Sequence, residues 1–467
     1  MSGAGTDWTG RVLRLRVDGP AQGGEFVARH EGRVVFVRGG LTGETVEAVV
    51  TDDPGKAWCR AGTTSVLEAS PDRVEPACPA AAAGAGCCDW SHVEPAAARA
   101  LQGRVLAEQL RRIGGVTDAV LAAAGLAGES VPVVPPAGDD AATGWRTAVR
   151  WVTDGSGRPG TRRARSHEVV TEPCAQADPR LRPAVLAAGV PAGREVLAVV
   201  DDEGAVHVAS RPVPPSAAGT GRGPRGGGRD ARRRGAARSR ARHSRAADWT
   251  LHTGGGPVVR VVAGTRWELP VDAFWQGHRS AARHYHGLVR TRAAELGPTT
   301  VWDLYGGAGL FASAVLDACP DARVTVVEAA GPALDAAGPA LGAGRVRRVH
   351  SPVEGFLGVG VRRTGDRDTS VAHADGADGA GGTEGAELVV LDPPRTGAGL
   401  PVMRALAASP ARGIVHLGCD PAAMARDVGA LVTAGWRVRS LGGVAAFPGT
   451  HHVEGVAVLD APDRPGA

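Results

Sequence analysis

Cys419 lies in IVHLGCDPAAMARDV, directly after an apolar run and directly before Asp420 and Pro421, residues suited to opening a helix. The positive end of a helix dipole favours thiolate over thiol, so the position suits a nucleophile. A small buried hydrophobe is the competing reading of an isolated cysteine. Further on, FPGTHHVEGVAVL sets Glu454 just ahead of the last apolar run. Partial burial there would raise its pKa into the range of a general base. His451 and His452 compete for that role or for a metal, but two adjacent histidines without a third ligand suit packing or RNA contact better.

Two further segments fit a nucleoside ligand. VWDLYGGAGLFASAVLDA reads as a strand, a turn containing Gly306, Gly307 and Gly309, and a helix. These glycines permit a tight turn and close approach of a ligand. RVTVVEA then places Glu328 at the end of the next strand, about twenty positions on, where a carboxylate accepts hydrogen bonds from both ribose hydroxyls of a dinucleotide or of S-adenosylmethionine. In LVVLDPPRTGAG, Asp392 follows an apolar strand and two prolines stiffen the loop, an arrangement that also suits an ordinary turn.

These residues need a sheet whose strand ends converge. From roughly residue 300 the chain alternates strands and helices in the manner of a doubly wound α/β sheet, with candidate strands TVWDLY, RVTVVEA, RVRRVHS, ELVVLD, GIVHLGC, WRVRSLGGV and GVAVLDA. Ligands gather at the carboxyl ends of such strands. We place this domain at 276–467, with a low-complexity insertion at about 365–387. Residues 6–70 read as short strands broken by glycine, hence a small β-barrel of the kind that often carries oligonucleotides. Between them, 71–275 reads as an α+β region containing a cysteine-rich segment and an Arg/Gly-rich stretch at about 212–248 that has almost nothing to bury.

The 467 residues exceed what a single core usually serves. A net charge of +4, nearly all of the positive charge being arginine, permits a polyanionic partner without requiring one. No apolar run approaches a membrane span and the first residues lack a signal-peptide core, so a cytoplasmic protein is expected. The seven cysteines, an odd number scattered through a long chain, argue against a disulfide framework. Cys78, Cys87 and Cys88 crowd together, which points to a metal centre.

In order and spacing, DLYGGAGLFA, DPPRTGAG, CDPAAMARD and FPGTHHVE resemble the RNA uracil-5-methyltransferase family, and the N-terminal strands resemble its TRAM domain. The resemblance covers nearly the whole chain outside the two insertions. It implies Cys419 as nucleophile, Glu454 as base, and Gln276 (in FWQGH), Tyr305, Glu328 and Asp392 as contacts to S-adenosylmethionine. Thiolate addition at carbon 6 turns uracil into an enolate able to attack a sulfonium methyl.

The resemblance also implies a 4Fe–4S cluster on Cys78, Cys87, Cys88 and Cys174. Here the sequence departs from the commoner family pattern: Ala85 stands where the second ligand is expected, and two cysteines are adjacent instead. The implied partner is RNA, ribosomal (23S) ahead of transfer RNA, with a monomer as the default. Two rivals remain: a methyltransferase of exocyclic amines, which needs no cysteine, and a non-enzymatic RNA-binding protein carrying a relict sheet.

Overall fold

The computed structural model describes residues 7–126, 128–163, 166–213, 249–342, 344–359 and 385–463. The stretches expected at 212–248 and 365–387 therefore lie almost wholly outside the described residues. The second ends earlier than expected: Ala386 is buried, and Glu387 accepts the Thr299 N–H at 2.7 Å.

The chain opens with β1 (Val12–Pro20), β2 (Phe26–His30), β3 (Arg33–Arg38), β4 (Thr45–Asp52) and β5 (Trp58–Glu68), closed into a barrel in the order β1-β2-β3-β5-β4. Strict alternation in β1 sends Leu13, Leu15 and Val17 inward and Val12, Arg14 and Arg16 outward, which is what a one-sided strand requires. Closure leaves no free edge.

After the short helix α1 (Pro79–Ala82) come α2 (Pro95–Arg112), capped by the Glu94 carboxylate on Ala97 N–H, and α3 (Asp118–Ala123), capped by the Thr117 hydroxyl. The two-residue β6 (Val133–Val134) follows. A six-stranded sheet is then built from β7 (Ala148–Thr153), β8 (Pro159–Arg162), β9 (Val169–Val170), β10 (Arg194–Val200), β11 (Val206–Pro212) and β12 (Thr250–Thr253), ordered β12-β11-β10-β7-β8-β9. Helix α4 (Leu181–Ala187) covers one face through Leu181 and Val185. The other face, through Leu197 and Val199, joins the core beneath the hairpin β13 (Val258–Val262) and β14 (Thr265–Leu269) and the long helix α5 (Ala281–Leu296).

The large C-terminal sheet contains all seven strands read from the sequence: β15 (Thr300–Leu304), β16 (Arg323–Glu328), β17 (Val346–His350), β18 (Leu388–Leu391), β19 (Gly413–Gly418), β20 (Arg437–Val444) and β21 (Glu454–Asp460). Its order is β17-β16-β15-β18-β19-β21-β20-β6. The first five run parallel, and β21 runs antiparallel to both neighbours. Near-continuous apolar runs such as Leu388–Leu391 fit strands buried on both faces. Helix α5, with α6 (Leu310–Ala318) and α7 (Gly331–Leu341), covers one face. The other is covered by α2, α3, α8 (Val353–Phe356), α9 (Leu400–Ala408) and α10 (Pro421–Thr433).

Residues 95–134, grouped with the central region from sequence, thus sit on the catalytic sheet. The reason is packing: Leu106, Ala107 and Leu110 of α2 meet Met424, Ala425 and Val428 of α10, while α4 already covers the small sheet. The approach is close enough that a Cβ on Gly429 would stand 2.0 Å from Gly114 O, so only glycine fits there.

Candidate active site

Strand β15 ends at Leu304, and Tyr305 then takes a left-handed backbone (φ 59°), a conformation uncommon outside glycine. The chain folds back so that Gly307 N–H donates to Glu328 Oε2 at 3.1 Å, while Ala330 N–H donates to Oε1 at 2.7 Å. Glu328, at the end of β16, is therefore fixed beside the glycine turn, and each oxygen keeps a lone pair for a ribose hydroxyl. Asp303 is fully buried one strand over and accepts Ala312 N–H at 3.0 Å, tying the turn to α6. Burial, more than its acidic neighbours Asp392 and Glu328, holds Asp303 up at about 8.

Asp392 follows β18, and the Gln276 side-chain amide, from the segment leading into α5, donates to its Oδ2 at 3.4 Å. Burial raises Asp392 to about 6. Its loop is anchored from α10 by Asp427, which accepts Ala398 N–H at 2.7 Å and Gly399 N–H at 3.1 Å and lies 3.3 Å from His416 Nε2. Asp427 and His416 were not picked out from sequence. The available signal was an acid placed on the apolar face of a helix in AAMARDVGALV, where it is 0% exposed.

The strand order brings Cys419 and Glu454 together. Gly418 of β19 pairs with Gly455 of β21, so Cys419 and Glu454 are the next positions across the same antiparallel ladder. Glu454 is nearly buried. Desolvation and the charge of Asp392 raise it to about 8, against the pull of Arg395.

The helix-terminus argument for Cys419 needs correcting. The N-terminus of α10 is capped by Asp420, whose Oδ1 accepts Ala423 N–H at 2.9 Å. The thiol is instead half-buried beside two carboxyls, and burial, then Glu454 and Asp392, push it up to about 12.

Tyr285 of α5 also went unnoticed in the sequence. Its side chain is buried and its hydroxyl has no partner among the described residues. Desolvation and the fields of Glu454, Asp392 and Cys419 raise the phenol well above its usual value, which locates it beside the reacting groups.

The loop before Glu454 is held from outside the sheet. Trp90 N–H donates to Gly449 O, Gln176 to Pro448 O, and Gln102 to both Thr450 O and His452 O. His451 Nδ1 lies 2.5 Å from Asp89, and His452 Nε2 lies 3.3 Å from Arg395, so both histidines make protein contacts. The barrel reaches the same place: Gln22 donates to Asp420 Oδ2 at 3.1 Å, and Trp90 Nε1–H donates to Gly24 O at 3.0 Å.

Cys78, Cys87, Cys88 and Cys174 are brought into one cluster. Cys88 Sγ lies 3.5 Å from Cys87 Sγ and 3.9 Å from Cys78 Sγ, and the sulfurs of Cys78, Cys88 and Cys174 lie within 4.8 Å of one another. Cys59 is buried in the barrel and Cys319 ends α6, both away from this group.

A mainly parallel sheet with a glycine turn after its first strand and an acid ending the second is a nucleoside-cofactor fold, and the relatives make it that of an S-adenosylmethionine-dependent methyltransferase. The TRAM domain family matches residues 8–56. An uncharacterized RNA methyltransferase of Corynebacterium glutamicum is 34% identical over 464 residues, covering 96% of this chain and 97% of its own. The 23S rRNA (uracil(1939)-C(5))-methyltransferase RlmD of Pseudomonas putida is 30% identical, covering 97% and 94%. The tRNA (uracil-54, C5)-methyltransferase of Pyrococcus abyssi, solved with S-adenosyl-L-homocysteine, shares the fold, with a TM-score of 0.62 over 96% of this chain and 100% of that one at 16% identity. The chain belongs to the RNA uracil-5-methyltransferase family.

Replacing Asp427 by alanine is expected to free the Asp392 loop. Losing charge-assisted hydrogen bonds to two buried amides should lower unfolding free energy by about 3 kcal/mol in urea titrations. It should also weaken S-adenosylmethionine binding several-fold in calorimetry.

Proposed function

We propose that this enzyme makes 5-methyluridine in 23S ribosomal RNA through a covalent bond between Cys419 and carbon 6 of the target uracil. The observation that carries the reading is the register of β19 on β21, which pairs Gly418 with Gly455 and so sets Cys419 and Glu454 at adjoining positions, beside the Asp392–Gln276 contact. When bound, S-adenosylmethionine supplies an electrophilic methyl on a cationic sulfonium. Glu328 takes its ribose, and Gln276, Tyr305 and Asp392 complete its pocket.

A uracil splayed out of an RNA loop enters beside the barrel. The Cys419 sulfur, once deprotonated, adds to carbon 6, and the electron pair moves to the carbon 5–carbon 4–oxygen 4 enolate. Carbon 5 would take the methyl that S-adenosylmethionine supplies as the sulfur–methyl bond breaks, with S-adenosylhomocysteine leaving. Glu454 then removes the carbon 5 proton and the carbon 6–sulfur bond breaks, restoring the aromatic ring and the thiolate. Burial, then Glu454 and Asp392, disfavour the Cys419 thiolate, and a bound sulfonium would supply an opposing positive charge.

The likeness to RlmD supports ribosomal RNA as substrate, and the TRAM barrel at the rim of the site supports an RNA partner; we take the enzyme to act in the cytoplasm as a monomer. Among the described residues no helix is long and apolar enough to cross a membrane. The domains we assign are the barrel at 6–70, the central region at 71–275, of which 95–134 pack onto the last sheet, and the catalytic domain at 276–467. The 4Fe–4S cluster implied by the resemblance finds four thiols in place. The sulfurs of Cys78, Cys88 and Cys174 lie within 4.8 Å of one another and Cys87 adjoins Cys88 at 3.5 Å, so these are the thiols that would hold it. No step of the reaction passes through these cysteines.

The test is incubation with 5-fluorouridine-containing ribosomal RNA and S-adenosylmethionine, followed by mass spectrometry. Fluorine at carbon 5 blocks the final elimination, so a methylated RNA adduct on Cys419 is expected. An adduct with transfer RNA alone would move the substrate, and none with either RNA would overturn the reaction.

A further inference from the structure

We infer that Tyr285 positions the base: its hydroxyl donates a hydrogen bond to the Glu454 carboxylate once that group has ionised. The inference rests on the reading of Glu454 as the group that takes the carbon 5 proton, and it adds what lets a buried carboxylate do so.

The placement follows from the sheet. Side chains two apart along a strand share a face, so Asp392 lies on the face of Val390, Cys419 on that of Leu417 and Glu454 on that of Val456. Val390, Leu417 and Val456 belong to one buried cluster, and Tyr285 belongs to it too. Leu391 and Ala457 look the other way, into the cluster under α2 and α10, as does His416 toward Asp427. On α5, the buried residues Ala281, Tyr285, Val289 and Ala293 recur every four positions in that same cluster, and of these only Tyr285 ends in a polar atom. Seven residues beyond Tyr285, Arg292 pairs with Asp460 at the far end of β21. The helix thus runs down the sheet from the active end, and its opening turns, with Tyr285, lie toward Glu454.

The hydroxyl there is uncommitted. Tyr285 is 1% exposed, and its hydroxyl has no hydrogen-bond partner among the described residues. A buried polar group left unpaired costs free energy, so a position that served packing alone would favour phenylalanine. Three acidic groups face the phenol: Glu454 from β21, Asp392 after β18 and Cys419 after β19. From α5 itself, the His284 ring meets it edge-on, with Nδ1 already accepting Ala137 N–H at 2.9 Å. Asp392 has the Gln276 amide. Glu454 has no donor among the described residues; what acts on it is burial, Asp392 and Arg395. The phenol is the donor that an ionising Glu454 lacks, and catalytic hydrogen bonds often tighten only when substrate binds. It donates without losing its own proton, because burial and the three acidic groups hold it well above its ordinary value. With one carboxylate oxygen so held, the other is left for the carbon 5 proton.

Tyr285→Phe keeps the ring in the cluster and removes only the donor. Single turnover is followed with S-adenosylmethionine and whichever of ribosomal or transfer RNA forms the Cys419 adduct. Loss of a hydrogen bond to a charged acceptor should move the rising limb of 5-methyluridine release up by about one pH unit. The variant should therefore be about tenfold slow at pH 7 and match the unaltered protein above about pH 9.5. It should also hold more methylated adduct at pH 7, with its affinity for S-adenosylmethionine unchanged. A rate lowered equally at every pH, or a limb that does not move, would overturn the inference and leave Glu454 as base. Normal turnover in Glu454→Gln would instead remove the base and this inference together. The chain has two tyrosines, which allows a second reading that does not depend on how Tyr285→Phe folds. With fluorotyrosine at both, the Tyr285 fluorine resonance, the one that Tyr305→Phe retains, should follow the Glu454 titration and stay flat in Glu454→Gln. A Tyr285 signal indifferent to Glu454 would overturn the contact.

Discussion

Replacing Cys419 by alanine is expected to lower single-turnover methyl transfer to RNA by about ten-thousandfold or more, because no other group near the cleft can make carbon 5 of uracil nucleophilic. The variant should still bind S-adenosylmethionine and RNA, since Gln276, Glu328 and Asp392 are untouched and the barrel is tied to Asp420 through Gln22. Radiolabelled transfer measured beside filter binding separates the two. Retained turnover would shift the chemistry to exocyclic amines, and absent turnover in the unaltered protein with salt-sensitive RNA binding would leave only a binding protein.

Glu454→Gln is expected to trap the enzyme after methyl transfer. The amide cannot take the carbon 5 proton, so a methylated covalent adduct should accumulate on denaturing gels while turnover falls by about 10²- to 10⁴-fold. The pH behaviour follows from burial, which holds the ligand-free carboxyl at about 8. The base is ionised only above that value, so kcat/KM should climb with pH and level off beyond about 8. Stability runs the other way. The folded state keeps a proton that the unfolded chain releases near 4.5, so Glu454's contribution is fully present below 4.5 and is lost as pH rises through about 8. Glutamine carries no such penalty. In urea titrations the variant should gain on the unaltered protein between pH 5 and pH 9.

Both predictions concern residues legible in the sequence, because each ends or begins an apolar run that can only be a buried strand. Cys419 follows GIVHLG and Glu454 precedes GVAVL, and the structure puts them at the strand ends those runs imply. What the runs cannot carry is pairing. Nothing in the order of strands along the chain says that β21 slots between β19 and β20, or that β6 extends the sheet beside β20. That insertion is what places base next to nucleophile. The ionisation of Cys419 was misjudged for the same reason: a helix terminus is a local feature, whereas two carboxyls opposite a thiol are not. Tyr285, His416 and Asp427 read as helix and core residues until their neighbours are known. Helix α2 carried an apolar face whose partner, α10, lies far along the chain.

The position of β21 also bears on when the enzyme becomes competent. It is the last described strand in sequence yet sits inside the sheet, between two strands made earlier. A chain still emerging from the ribosome can close its barrel and dock its first helices, since domains fold vectorially during synthesis. It cannot seat Glu454 opposite Cys419 until residue 460 is free to enter the gap. Cys419 and Glu454 are therefore brought face to face only by the last of these strands to be made.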